Sequence, residues 1–116
     1  MVQGSVDAAT MMSAEDRVLL DAFATRVRLV VPSVAIWAFG SRARGSPHPE
    51  SDLDICVVVP ELTREVREGI HRSAWEIGFE RGRLLAPLIL TAEDFERGPM
   101  SGSTLVANIR RDGVAA

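Results

Sequence analysis

The chain of 116 residues contains no lysine: all thirteen basic residues are arginine. A catalytic lysine or a lysine Schiff base is therefore excluded. There is one cysteine, Cys56, so no internal disulfide can form and a reducing compartment is compatible. No apolar run approaches the ~18 residues that a membrane span needs. The N-terminus is polar and small, without the charged and apolar pattern of a signal peptide. The expectation is a cytoplasmic protein without membrane partners. Net charge is −3 and no stretch is strongly basic. That argues against a strong grip on duplex nucleic acid, which needs clustered cations to neutralise phosphates.

What is present is ordinary for a globular domain: 47% hydrophobic and 25% charged residues, in a length that suits one core. Met1 to Met12 lacks useful periodicity and reads as a flexible tail, leaving residues 13–116 as a single domain. Ser13-Ala14-Glu15-Asp16 fits a capping box, with acids in the first turn of a helix. Leu20, Phe23, Val27 and Val30 mark its buried stripe, and Pro32 ends it. A second long helix starts at Glu61 or Thr63 and runs to about Glu80. Val66, Ile70, Ala74 and Ile77 line its inner face, widened by Trp75 and Phe79. Arg64–Glu68, Glu68–Arg72 and Arg72–Glu76 are spaced as ion pairs worth only a few tenths of a kcal/mol each on a solvated face. Arg83 to Leu90 reads as a strand, and Pro87 within it implies an edge position or a bulge. Thr91 to Asp94 caps a short helix that Gly98-Pro99 stops. The last helix starts at Ser101 or Ser103. It buries Leu105, Val106 and Ile109, carries Arg110 and Arg111 in its final turn, and has Gly113 at its C-terminal cap.

The chemistry concentrates in Ala35 to Pro60, AIWAFGSRARGSPHPESDLDICVVVP. Val34 to Phe39 is a short apolar strand that stops at Gly40-Ser41. Gly40 permits unusual backbone angles or close approach of a ligand. Ser41 can cap a helical turn and offer its hydroxyl and nearby N–H groups to an anion. Arg42 and Arg44 add fork-shaped donors suited to phosphate. In the following strand, Asp52 to Val59, alternation puts Leu53, Ile55, Val57 and Val59 on one face. Asp52, Asp54, Cys56 and Val58 take the other. Two carboxylates thus stand roughly 6.5–7 Å apart by Cα at strand rise. Their repulsion and desolvation would be relieved by a hard divalent cation such as Mg²⁺, which takes carboxylate and phosphate oxygens together. In the intervening loop, shaped by Pro47 and Pro49, His48 reads as solvated. Cys56 reads as a small buried hydrophobe rather than a redox group.

Gly40-Ser41, about ten residues, then Asp52-Leu53-Asp54 resembles the signature of the DNA polymerase β-type nucleotidyltransferase superfamily. GSRARGSPHPESDLDI is similar to its minimal prokaryotic branch, often paired with a helical toxin partner. The resemblance runs from Ser13 to Gly113. It implies an α/β fold of order αβαβαβα, with a small mixed three-stranded sheet flanked by helices. It also implies Asp52 and Asp54 as catalytic metal ligands, and Gly40, Ser41, Arg42 and Arg44 as nucleotide-binding residues. The cofactor would be Mg²⁺ with an NTP, ATP being the nucleotide expected. Active members carry a third carboxylate on the strand equivalent to Arg83–Leu90. This chain has Ala86 or its neighbours there, with Glu80 before the strand and Glu93 and Asp94 after it. Two functions stay open: transfer of a nucleoside monophosphate from NTP to a hydroxyl, including one on a partner protein, or a weakly active, antitoxin-like protein that binds a helical toxin partner. A third, purely structural use of Asp52 and Asp54 would pair them with Arg42 and Arg44.

Overall fold

The computed structural model describes residues 12–45, 52–98 and 102–116. Its elements run α1 (Ala14–Val30), β1 (Ala35–Phe39), α2 (Gly40–Ala43), β2 (Leu53–Val59), α3 (Arg64–Arg81), β3 (Leu85–Thr91), α4 (Ala92–Glu96), α5 (Thr104–Asp112) and β4 (Val114–Ala115). Caps read from the sequence are in place. Ser13 Oγ accepts the Asp16 N–H at 3.0 Å, Thr63 Oγ1 that of Val66 at 3.2 Å, Thr91 Oγ1 that of Asp94 at 3.0 Å and Ser103 Oγ that of Val106 at 3.2 Å. Each satisfies one of the donors that a helix start leaves without an intrahelical partner. No helix among the described residues is long and apolar enough to cross a membrane.

The sheet has the order β3-β2-β1-β4. β2 pairs parallel with β3 and antiparallel with β1. β2 is central and six of its seven residues are buried, which is why LDICVVV turns into a continuous apolar run after its first alternation. Leu53, Ile55, Val57 and Val59 pack with Ile36 and Ala38 under α1 and α3, in a core that includes Phe23, Val27, Ile70 and Ile77. On the opposite face Cys56 and Val58 meet Leu90, Phe95, Val106 and Ile109, so α4 and α5 form the other layer. Trp37 and Phe95 stack there with ring centroids 5.4 Å apart.

Four features depart from the sequence reading. The sheet has four strands rather than three. After α5, Gly113 leaves the helix with extended angles (φ −66°, ψ 143°), and Val114 pairs with Ala38 of β1. A two-residue strand carries too little periodicity to be seen. Met12, assigned to the tail, is buried in the larger core. Trp75 and Phe79 do not widen the buried stripe of α3; they are 66% and 76% exposed and stack on each other at 5.2 Å. Glu76 and Glu80 also turn from their own helix to bind Arg26 of α1 at 3.0 and 3.2 Å, fastening the two long helices together. Residues 46–51, with Pro47, His48 and Pro49, lie outside the described residues.

Pro87 sits in β3 at the edge of the sheet. The Leu53 N–H donates to Leu84 O at 3.0 Å, so alternation turns residues 84, 86 and 88 toward β2 and 85, 87 and 89 outward. The missing proline donor therefore falls on the outer edge, where it breaks no ladder bond and discourages pairing with another strand.

Cys56 is fully buried, and desolvation pushes its thiol up from the ordinary 9.0 to about 11. At pH 8 the folded protein should resist an aromatic disulfide reagent and react with one thiol equivalent after urea unfolding. Rapid native labelling would mean that β2 opens locally.

Candidate active site

The site is built where β1 hands over to α2. Phe39 ends the strand with extended angles (φ −143°) and stands at the helix N-cap; Gly40 follows at φ +78°. This left-handed conformation suits glycine and strains other residues. Register places Phe39 opposite Asp54 on β2. A Cβ built on Gly40 would lie 2.6 Å from Asp54 Oδ2. Only the missing side chain lets the carboxylate rest against the backbone of the turn. Ser41 is the second residue of α2 and does not cap it; Phe39 holds that place without a side-chain cap bond. The first N–H groups of such a turn have no intrahelical acceptor and point ahead of it, toward the end where Asp54 lies.

Asp52 immediately precedes β2 and is exposed, whereas Asp54 is half-buried. The Asp54 carboxyl is raised above its ordinary 3.8, first by burial and second by the charge of Asp52. Asp54 therefore senses the charge of Asp52. On the opposite flank Asp54 is aligned with Ala86 of β3, so the two side chains point to the same face. Among the described residues no group of three or more His, Cys, Asp or Glu side chains could hold a metal ion. The nearby acids do not substitute. Glu80 is bound to Arg26 on the other side of the sheet. Glu93 and Asp94 follow the far end of β3: Thr91 alone is five residues beyond Ala86, roughly 16 Å at strand rise.

Arg44 is exposed at the C-cap of α2. Arg42, assigned to phosphate alongside it, is turned inward: its side chain is 10% exposed and donates to both Asp16 oxygens at 3.3 and 3.0 Å. Arg83 completes the cluster, giving one nitrogen to Asp16 Oδ1 at 2.7 Å and another to Glu15 at 3.0 Å. Asp16 is 1% exposed. Burial alone would raise its carboxyl, but the hydrogen bonds and charges of Arg83 and Arg42 outweigh it and hold the group below 3.8. Sequence reasoning missed this residue by assigning Asp16 to the capping box, whose backward bond to Ser13 it does not make in place of these two. The available signal was periodicity: Asp16 precedes Leu20 by four, on the stripe continued by Phe23 and Val27, and an acid on a buried stripe needs partners.

A glycine turn pressed on a strand-end carboxylate, in a mixed sheet with helices on both faces, defines an α/β domain with a candidate site at its strand ends. Comparison with known families then settles which: the model of the nucleotidyltransferase domain matches residues 17–111, and the chain belongs to that family. It is also 35% identical over 65 residues to the bifunctional uridylyltransferase/uridylyl-removing enzyme of Azotobacter vinelandii, covering 53% of this chain and 7% of that protein. The protein of the same name from Ectopseudomonas mendocina is 34% identical over 65 residues, with the same coverage. The match thus spans a small fraction of the length of these relatives.

The raised carboxyl of Asp54 fixes a stability effect. A folded pKa above the unfolded one contributes stability below pH 3.8 and loses it as pH rises through the folded value. At pH 7 without metal, ionised Asp54 therefore costs stability. In chelator, Asp54→Asn should melt above the wild type at pH 7, and the gap should close as pH falls toward 3.8. Melting curves across that range check it; a neutral-pH loss would show that the carboxylate is satisfied by partners.

Proposed function

We propose that the domain transfers a nucleoside monophosphate from a nucleoside triphosphate, ATP in the first instance, to a hydroxyl acceptor, with Mg²⁺ required. The observation that carries this reading is the packing of Asp54 Oδ2 against Gly40, which sets a carboxylate that would ligate the metal beside the first amides of α2. Family membership supports nucleotidyl transfer in general, and the relatives named uridylyltransferases support the choice of a nucleotide donor.

The donor set fits Mg²⁺. Two hard carboxylates lie close enough for the charge of one to perturb the other, and one or two carboxylates with phosphate oxygens and water make its usual shell. Asp52 and Asp54 would hold it. Bound there with the triphosphate, Mg²⁺ would offset phosphate charge and favour in-line displacement. The chain supplies the rest. Amides of Gly40 and Ser41 face the phosphates, and the exposed Arg44 can reach the triphosphate tail. The acceptor oxygen bonds to the α-phosphorus, the bond to the bridging oxygen breaks, pyrophosphate leaves, and the hydroxyl proton passes to a base. No acid stands at Ala86 to take that proton, so in the isolated domain it goes to solvent or to a group brought by the acceptor.

A second reading, an antitoxin-like protein binding a helical toxin-like partner, is favoured by one observation. An open groove of about 530 Å³ between α3 and β3 is lined by Trp75, Phe79, Leu84 and Pro87, and Trp75, Phe79 and Leu84 are exposed large apolar groups. Exposed apolar surface of this kind is a mark of interaction sites.

Calorimetric titration of ATP with Mg²⁺ and with chelator separates the readings. The first predicts binding that chelator abolishes and that Asp54→Asn renders insensitive to Mg²⁺; equal binding under both conditions favours the interaction protein. The vacant acid position gives a gain-of-function test. Ala86→Asp should raise pyrophosphate release by on the order of 10²–10⁴, the usual contribution of a positioned base. No gain from a folded Ala86→Asp variant would mean that proton removal does not limit transfer.

A further inference from the structure

Asp16 is the most buried acid among the described residues, and it lies outside every role assigned above. It belongs to α1, on the sheet face opposite Asp54. Two arginines from separate parts of the chain converge on it. Arg42 comes from the turn whose first residue, Gly40, carries the weight of Asp54. Arg83 comes from the link between α3 and β3, two residues ahead of Leu85. That link is itself rigid. Gly82 closes α3 in the left-handed conformation (φ +65°), its N–H and that of Arg83 both reach Gly78 O, and a Cβ on Gly78 would lie 2.5 Å from Arg83 O. The Leu84 carbonyl then bonds to Leu53, next to Asp54.

α2 is a single turn of four residues with no side-chain cap, followed by Gly45 at φ +76°. A helix this short is not stable by its own hydrogen bonds. It rests against β1, β2 and α5 and buries Ala43 in the larger core, and the Arg42 guanidinium on Asp16 adds a charged anchor to α1. A buried carboxylate that receives two charge-assisted arginine contacts is stiff, because moving either partner strands a charge away from water.

We propose that Asp16 is a positioning residue for the nucleotide site: through Arg42 it holds the Gly40–Ala43 turn against Asp54, while Arg83 separately ties the same carboxylate to the link between α3 and β3. This rests on the nucleotide-binding reading of that turn. Arg42 then acts from behind the phosphate cradle, and the triphosphate meets backbone amides whose place Asp16 has set.

The test compares three variants with the wild type. Arg42→Gln and Arg83→Gln each leave Asp16 with one arginine, whereas Asp16→Asn removes the common carboxylate. Two readouts are taken: hydrogen exchange of the Arg44 and Gly45 amides, which donate to Gly40 O and Arg42 O, in the free protein, and the Kd for ATP with Mg²⁺. Arg42→Gln and Asp16→Asn should speed exchange of those two amides and weaken ATP binding by about tenfold, the scale of one net hydrogen bond lost. Arg83→Gln should lower the melting temperature yet leave exchange of the same two amides within about threefold of wild type. If Asp16→Asn does not fold, the two arginine variants decide alone. Equal exchange in those two variants, or an unchanged turn in Arg42→Gln, overturns the proposal. So does unchanged or tighter ATP binding by folded Asp16→Asn, which would make Arg42 a direct phosphate ligand. Wild-type protein that fails to bind ATP would sink the nucleotide reading, and the exchange data would still pass or fail the positioning claim.

Discussion

The register of β2 is the constraint on which the rest of this structure depends. The strand is paired on both sides and buried on both faces, so it cannot slip by one residue without exchanging its two sets of side chains between the cores. One set, Leu53 through Val59, fills the space under α1 and α3; the other, Cys56 and Val58, meets α4 and α5. Asp54 belongs to the second set but lies at the strand's beginning, where the covering helices stop short and water reaches it. The same register that buries Ile55 and Val57 therefore presents Asp54 beside Gly40 and Ala86. Site and core are two consequences of one pairing.

Asp16 and Asp54 show how environment assigns roles to the same side chain. Asp16 has arginines and is held ionised; it ties three segments together. Asp54 has a like-charged neighbour and partial desolvation and is held partly against ionisation. The first arrangement favours structure. The second stores an electrostatic cost that a cation can release, which is how binding sites commonly differ from structural ion pairs. The exposed pair Arg64–Glu68 belongs to neither class: at the surface such a contact contributes at most a few tenths of a kcal/mol.

The domain occupies a small part of the length of the uridylyltransferases it resembles. What it shares with them is a stretch of 65 residues, about half of this chain. The apolar groove between α3 and β3 lies outside the turn and strand ends, on the opposite side of the sheet from Asp54.

Much of this was legible in the sequence because it is local. Ser13, Thr63, Thr91 and Ser103 cap helices through bonds that span three residues, and strand alternation alone sorts Asp54 from Leu53 and Ile55. Pro87, which lacks a donor, pointed to an edge strand or a bulge, and β3 is the edge strand. Other features depend on segments far apart in the chain. Asp16 looked like half of a capping box until Arg42 and Arg83, 26 and 67 residues away, arrived beside it. Trp75 and Phe79 looked buried because their spacing fits a widened stripe, but no element among the described residues covers that side of α3. Val114 and Ala115 became a strand only because β1 had an open edge to pair with. The sequence by itself determined the elements, their caps and the face on which each acid stands, since these follow from backbone geometry and neighbours a few residues apart. Only the tertiary structure decided which charges meet, which apolar groups stay exposed and where the fourth strand forms. Those outcomes depend on which distant surfaces come together to exclude water.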